Sequence, residues 1–215
     1  MTLEVFLEML VQMAKASLTT LELFGLTLLF SLPLGLLVAV ARMSRFKPLS
    51  WLIRLYLLVM RGTPLLLQLI FFYFGLDIFG INLQRFPAAV LAFTLNYAAY
   101  FAEIYRAGIE GVPVGQREAA KVLGFSRAHT FFRIILPQVI KKILPPMGNE
   151  FMTLVKDTSL AQSIGVAELF QLAQSTQVRL FTTTPIFVAG LFYLLMNGIV
   201  HLGFSLAEKK LSYYR

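Results

Sequence analysis

The sequence predicts an all-α integral membrane protein, and three observations carry that prediction. Of its 215 residues, 58% are hydrophobic and only 14% charged, far from the balance of a soluble domain. Mean hydropathy is +0.74. Several stretches reach the roughly 20 apolar residues that a helix needs to cross a hydrocarbon layer, with charges gathered at their ends. With no repeat, low-complexity tract or linker, the chain reads as one transmembrane domain over residues 1–215.

The expected elements follow in order. A first span over 18–41 is interrupted by Pro33 and closed by Arg42, Arg45 and Lys47. Residues 49–60 are apolar but carry Arg54, and Arg61-Gly62-Thr63-Pro64 breaks the run, with Thr63 expected as an N-cap and Pro64 at the first helical position. A second span over about 64–80 and a third over about 87–108 form an antiparallel hairpin across the turn from Ile81 to Phe86. From Ile109 to Pro137, Arg, Lys, Glu, Gly and Pro reach a density that lipid-exposed backbone does not tolerate. A fourth span over 138–158, a less apolar helical region to Val178, a fifth span over 184–206 and a basic tail from Glu208 to Arg215 complete the chain.

With about five spans, alternate connections share a side. Fifteen of the 19 Lys and Arg residues then fall on the side of the polar insert and the C-terminus, leaving Lys15, Arg85, Lys156 and Arg179 opposite. Basic residues favour the cytoplasm, so the N-terminus is expected outside and the C-terminus cytoplasmic. The net charge of +8 therefore reports orientation, not nucleic-acid binding. The absence of Cys excludes disulfides and thiolate metal sites. Glu4 and Glu8, with no early Lys or Arg, differ from a cleavable signal, and the N-terminus is read as mature.

Within the insert, Pro113 precedes a short helix whose first turn is expected to hold Glu118, with Gly124 as its C-terminal cap and Ser126 capping a second helix. Ala119 and Ala120 would leave a low surface for another protein, and Arg117 and Lys121 offer charge at its edges. On physical grounds alone, a solvated connecting loop accounts for the same residues equally well.

The spacing of Glu118-Ala119-Ala120, Gly124, Ile134 and Leu136-Pro137 resembles the EAA signature of the membrane subunits of ABC importers. Arg61-Gly62-Thr63-Pro64-Leu65-Leu66-Leu67-Gln68-Leu69, the stretch from Ala102 to Ile109, and the segments Gly148 to Phe151 and Leu154 to Leu160 are similar to signatures of the polar amino-acid branch, the His/Arg/Gln-type permeases, with Leu67 where Val is common. The resemblance implies a type I permease of the bacterial inner membrane whose coupling helix, here about 114–124 between helices 3 and 4, docks on a cytoplasmic ATPase dimer. It also implies alternating access, a second permease subunit (identical or a close paralogue) and an extracytoplasmic amino-acid-binding protein. The chain has no Gly-x-x-x-x-Gly-Lys-Ser/Thr, so ATP and Mg²⁺ are expected in the partner ATPase, with no cofactor, metal or catalytic residue in this chain.

Ionisable groups at membrane depth usually have a function or a partner. Glu150, near the middle of the fourth span, is expected either to pair with the ammonium or cationic side chain of an amino acid, or to make an interhelical hydrogen bond. Thr63, or a helix break near Asp157, would offer backbone donors to a carboxylate. Asn96 is expected to pack or to contact substrate, Lys156 and Asp157 to satisfy each other or to serve as gate or substrate residues, and Glu103 and Arg106 to form an ion pair. His201 is expected as a hydrogen-bonded packing residue and His129 as a loop residue. An autonomous channel or ion-driven transporter would need its own coupling site, and a membrane-embedded enzyme would need a metal cluster or an activated nucleophile.

Overall fold

The computed structural model describes residues 2–211, all helices and connections. Helix α1 (Leu3–Arg42) is followed by α2 (Lys47–Gly62) and α3 (Leu65–Ile70), which runs on through a π-turn (Phe71–Gly75) and a 3₁₀ turn (Leu76–Phe79). Then come α4 (Arg85–Glu110), α5 (Val114–Val122) and α6 (Arg127–His129), the last feeding through a π-turn (Thr130–Ile135) into α7 (Leu136–Asp157). A 3₁₀ segment (Thr158–Ile164), α8 (Leu169–Leu180) and α9 (Thr184–Lys210) follow. Arg215, counted in the basic tail, lies outside the described residues.

One expected boundary is corrected. α1 starts at Leu3, fifteen residues before the expected span, because Thr2 caps it by accepting from the Val5 amide and no breaker intervenes. At 1.5 Å per residue its 40 residues extend about 60 Å, twice the hydrocarbon thickness. The expected break at Arg61–Pro64 is present: the apolar residues 49–60 lie in a helix of their own, α2, bent by 106° from the 65–79 run. Among the described residues α1 and α9 are each long and apolar enough to cross a membrane, and that bent pair supplies a third crossing if it is one span. α4 and α7 are more polar but, at about 39 and 33 Å, also long enough.

The core is built on α1 against α4, the most extensive helix pair. Thr20, Thr27, Ser31 and Gly35 give α1 a buried stripe of small side chains that lets α4 approach closely through Ala88, Ala92, Ala98 and Ala102. A Cβ at Gly35 would sit 2.9 Å from Phe101 Cβ and 3.0 Å from the Ala98 carbonyl oxygen. Larger groups fill the outer side of the seam, with Phe93, Tyr97 and Phe101 fully buried beside Leu23 and Leu154. α7 crosses α4 at Gly108, where Ile143 and Val139 occupy the space a side chain would take. Near the polar insert that joins them the two are also tied by the Lys142 ammonium, which donates to the Gly111 carbonyl. α9 packs on α7 and α8.

Candidate functional site

The break between α2 and α3 is the local feature that positions most of the polar residues. Pro64 cannot donate a backbone hydrogen bond and ends α2. It occupies the N-cap of α3, one position earlier than expected, and Thr63 caps the helix behind it: its hydroxyl donates 2.8 Å to the Val59 carbonyl. The carbonyls freed by the break are taken up by two amides. Gln68 Nε2 donates to Met60 O at 3.0 Å, Thr63 O at 3.2 Å and Thr63 Oγ1 at 2.9 Å. Asn96 Nδ2 reaches across from α4 to Met60 O at 2.9 Å and Gln68 Oε1 at 3.0 Å. Asn96 and Thr63 are thus brought together through Gln68, a residue that sequence reasoning quoted in a motif without assigning it a partner.

Asp157, at the end of α7, accepts 2.8 Å from the hydroxyl of buried Tyr97, the residue after Asn96 on α4. This corrects the expected pairing with Lys156, whose side chain is exposed. α7 runs directly into the 3₁₀ segment there, with Thr158 and Ser159 hydroxyls returning to Val155 and Lys156 carbonyls. Glu150 stands apart from both groups. It is half-buried, has no hydrogen bond or ion pair among the described residues, and lines a cavity of about 390 Å³ with Arg61, Tyr100, Glu103 and Lys142. Opposite it, Glu103 accepts three hydrogen bonds from Arg106, the shortest 2.7 Å, which realises the expected ion pair.

The insert folds into α5 and α6. Pro113 is the N-cap of α5, so Glu118 is its fifth residue and not in its first turn, a correction of the expected register. Glu118 is exposed, as are Arg117, Ala119 and Lys121, whereas Ala120 is buried and anchors α5 to the bundle. The low outward surface therefore consists of Ala119 alone. Gly124 has φ +76°, a conformation that a side chain would strain, and Ser126 accepts from the His129 amide at 3.2 Å as the N-cap of α6. His129 belongs to that helical turn and stacks on Phe125 with ring centroids 4.8 Å apart, where a loop position was expected. His201 is exposed on α9 with no hydrogen bond among the described residues.

One fully buried carboxylate escaped sequence reasoning. Glu168 caps α8, accepting from the amides of Phe170 (2.8 Å) and Gln171 (2.7 Å) and from the Tyr193 hydroxyl (2.8 Å). The acid preceding the apolar start of α8 is an N-cap signal that was available; its contact with Tyr193 of α9 was not.

A helical bundle with a sharply re-bent second segment, a charged cavity between its central helices and a short exposed helix joining those two is built as a transport subunit. The chain belongs to the family of binding-protein-dependent transport system inner membrane components, whose model matches residues 31–213. Members of that family are the permease subunits of ABC importers, whose ATPase is a separate subunit. The chain is 46% identical over 160 residues to the L-cystine transport system permease protein TcyB of Bacillus subtilis, covering 74% of this chain and 68% of TcyB. It is 42% identical over 183 residues to the probable glutamine ABC transporter permease protein GlnM of the same organism, covering 84% of each. A crystal structure of an amino acid ABC transporter with histidines contains a chain that superposes with a TM-score of 0.90 at 36% identity, covering 98% of this chain and 99% of the other.

Proposed function

We propose that this chain is the permease of an importer for polar amino acids, basic ones among them, and that it works by alternating access driven by a separate ATPase dimer that binds ATP and Mg²⁺. The observation that carries the reading is the exposed helix α5 hung between α4 and α7 in a chain whose relatives serve cystine and glutamine transport. α5 is the coupling helix: Glu118, Arg117, Ala119 and Lys121 meet the ATPase, Ala120 anchors the helix, and Gly124 permits its exit. Five spans place the N-terminus outside and the insert and C-terminus in the cytoplasm of a bacterial inner membrane, a bilayer arrangement supported by the charge asymmetry. Two copies of this chain, or this chain and a close paralogue, form the pathway, and an extracytoplasmic binding protein supplies the amino acid.

In this reading Glu150 meets the ammonium or cationic side chain of the substrate, while Thr63 and Asn96, at the α2–α3 break, and Asp157 with Lys156, at the outer end of α7, line the route. The half-buried, unpartnered state of Glu150 supports this, since such a carboxylate is costly unless a cation completes it. The test is the Glu118→Lys variant in the reconstituted complex. ATP hydrolysis is expected to persist while ATP-dependent amino-acid uptake falls at least tenfold; normal uptake by the variant would remove α5 from the coupling role.

A further inference from the structure

Arg61 is the last-turn residue of α2, and its backbone is clamped on both sides. Met60 O is held by Asn96 and Gln68, and Thr63 by Gln68. The head group is not clamped. Among the described residues its only carboxylate contact is Nη1 to Glu103 Oε2 at 3.8 Å, beyond hydrogen-bonding range, and Glu103 is already satisfied by three hydrogen bonds from Arg106. The guanidinium lies over the Tyr100 ring, 5.4 Å from its centroid, with 43% of the side chain exposed. An aromatic face is a shallow resting place for a cation.

Glu150 lines the same cavity of about 390 Å³ as Arg61, Tyr100 and Glu103, and it has no partner of its own. Of the cations lining that cavity, Arg106 is hydrogen-bonded to Glu103 and Glu110 and Lys142 to the Gly111 carbonyl, which leaves Arg61 as the one whose head group makes no hydrogen bond among the described residues. The cavity therefore holds one uncommitted carboxylate, one loosely held guanidinium on a fixed tether, and a second carboxylate that the guanidinium can approach without being needed there.

We propose that Arg61 is an internal counter-ion that competes with the substrate's ammonium or cationic side chain for Glu150, and so sets the affinity and the rate of release at this site. The inference rests on the reading of Glu150 as a substrate contact. With the site empty, the guanidinium exchanges between its rest at Tyr100 and Glu103 and a position at Glu150, whose charge it compensates. When an amino acid's cationic group takes Glu150, the guanidinium withdraws to Tyr100 and Glu103, and its return expels the substrate. No bond is made or broken. Since binding free energy is the difference between filled and empty states, removing a charge that stabilises only the empty state tightens binding.

The experiment measures equilibrium binding and dissociation of radiolabelled amino acids (the twenty standard L-amino acids and L-cystine) to the purified permease–ATPase complex without binding protein. For the amino acid that wild type binds best, Glu150→Gln is expected to weaken binding. Arg61→Gln is expected to tighten binding about tenfold and to slow dissociation similarly, and Arg61→Lys to stay within about twofold of wild type. In the Glu150→Gln background, Arg61→Gln is expected to change nothing, because the competition has lost its object. A gain in affinity is not what misfolding produces. Weakening by Glu150→Gln with no tightening by Arg61→Gln, or equal tightening in both backgrounds, overturns the counter-ion and leaves the Glu150 contact standing. Unchanged binding in Glu150→Gln, or no amino acid bound by wild type, overturns the contact and the counter-ion with it.

Discussion

At the scale of single residues, the buried polar groups divide into those that hold the bundle together and those left free to act. Glu168 is of the first kind, a carboxylate with no exposed surface that satisfies two α8 amides and the Tyr193 hydroxyl at once. Replacing it by Ala orphans all three donors, whereas Tyr193→Phe removes only one hydrogen bond. We expect Glu168→Ala to cost about 3–5 kcal/mol and Tyr193→Phe about 1–2 kcal/mol, read as the order of melting temperatures of the detergent-solubilised protein. Equal melting temperatures would show that Glu168 is not the keystone of that corner. Glu150 is of the second kind. Its depth was legible in the sequence from its place in an apolar run, but its isolation was not: that depends on the nearby cations being engaged elsewhere, Arg106 by Glu103 and Glu110 and Lys142 by the Gly111 carbonyl.

At the scale of elements, what was legible was whatever depends on local chain chemistry. Gly124 and Ser126 ended and restarted helices where expected, because positive φ and side-chain capping are decided within four residues. The register of α5 was misjudged because Pro113 was free to be either N-cap or a residue outside the helix, and only the packing of Ala120 decides which. The break after the apolar run at 49–60 was legible from Pro64, but the 106° bend was not, since the Gln68 and Asn96 amides that hold it include a contact of long sequence separation. The α1–α4 seam gives a direct test of element packing. Gly35→Ala would place a methyl group within 3.0 Å of α4 atoms that include backbone, so the helices must part; a loss of about 1–3 kcal/mol is expected, visible as a lower melting temperature, while Ala at solvent-open Gly115 changes little. Equal effects at both positions would mean the seam is looser than its geometry.

At the scale of the whole molecule, the proposed topology is open to a clean test, since the chain has no Cys and any introduced thiol is unique. Gln84 and Arg127 are both exposed, at opposite ends of the α4–α7 pair. Gln84→Cys is expected to react with a membrane-impermeant maleimide in right-side-out vesicles and Arg127→Cys only in inverted ones; the reverse pattern would invert the orientation. The tie between Lys142 and Gly111 has a consequence for how such a molecule moves. It joins α4 and α7 at the foot, beside α5, so the two behave as the arms of a pair of tongs held at one end. Glu103 rides on one arm and Glu150 on the other. The second arm contains Pro145 and Pro146, two consecutive residues without an amide hydrogen, between the tie and Glu150. A rod missing two rungs bends there first, so a push at the foot is converted into a change of gap at the cavity without either arm being remade.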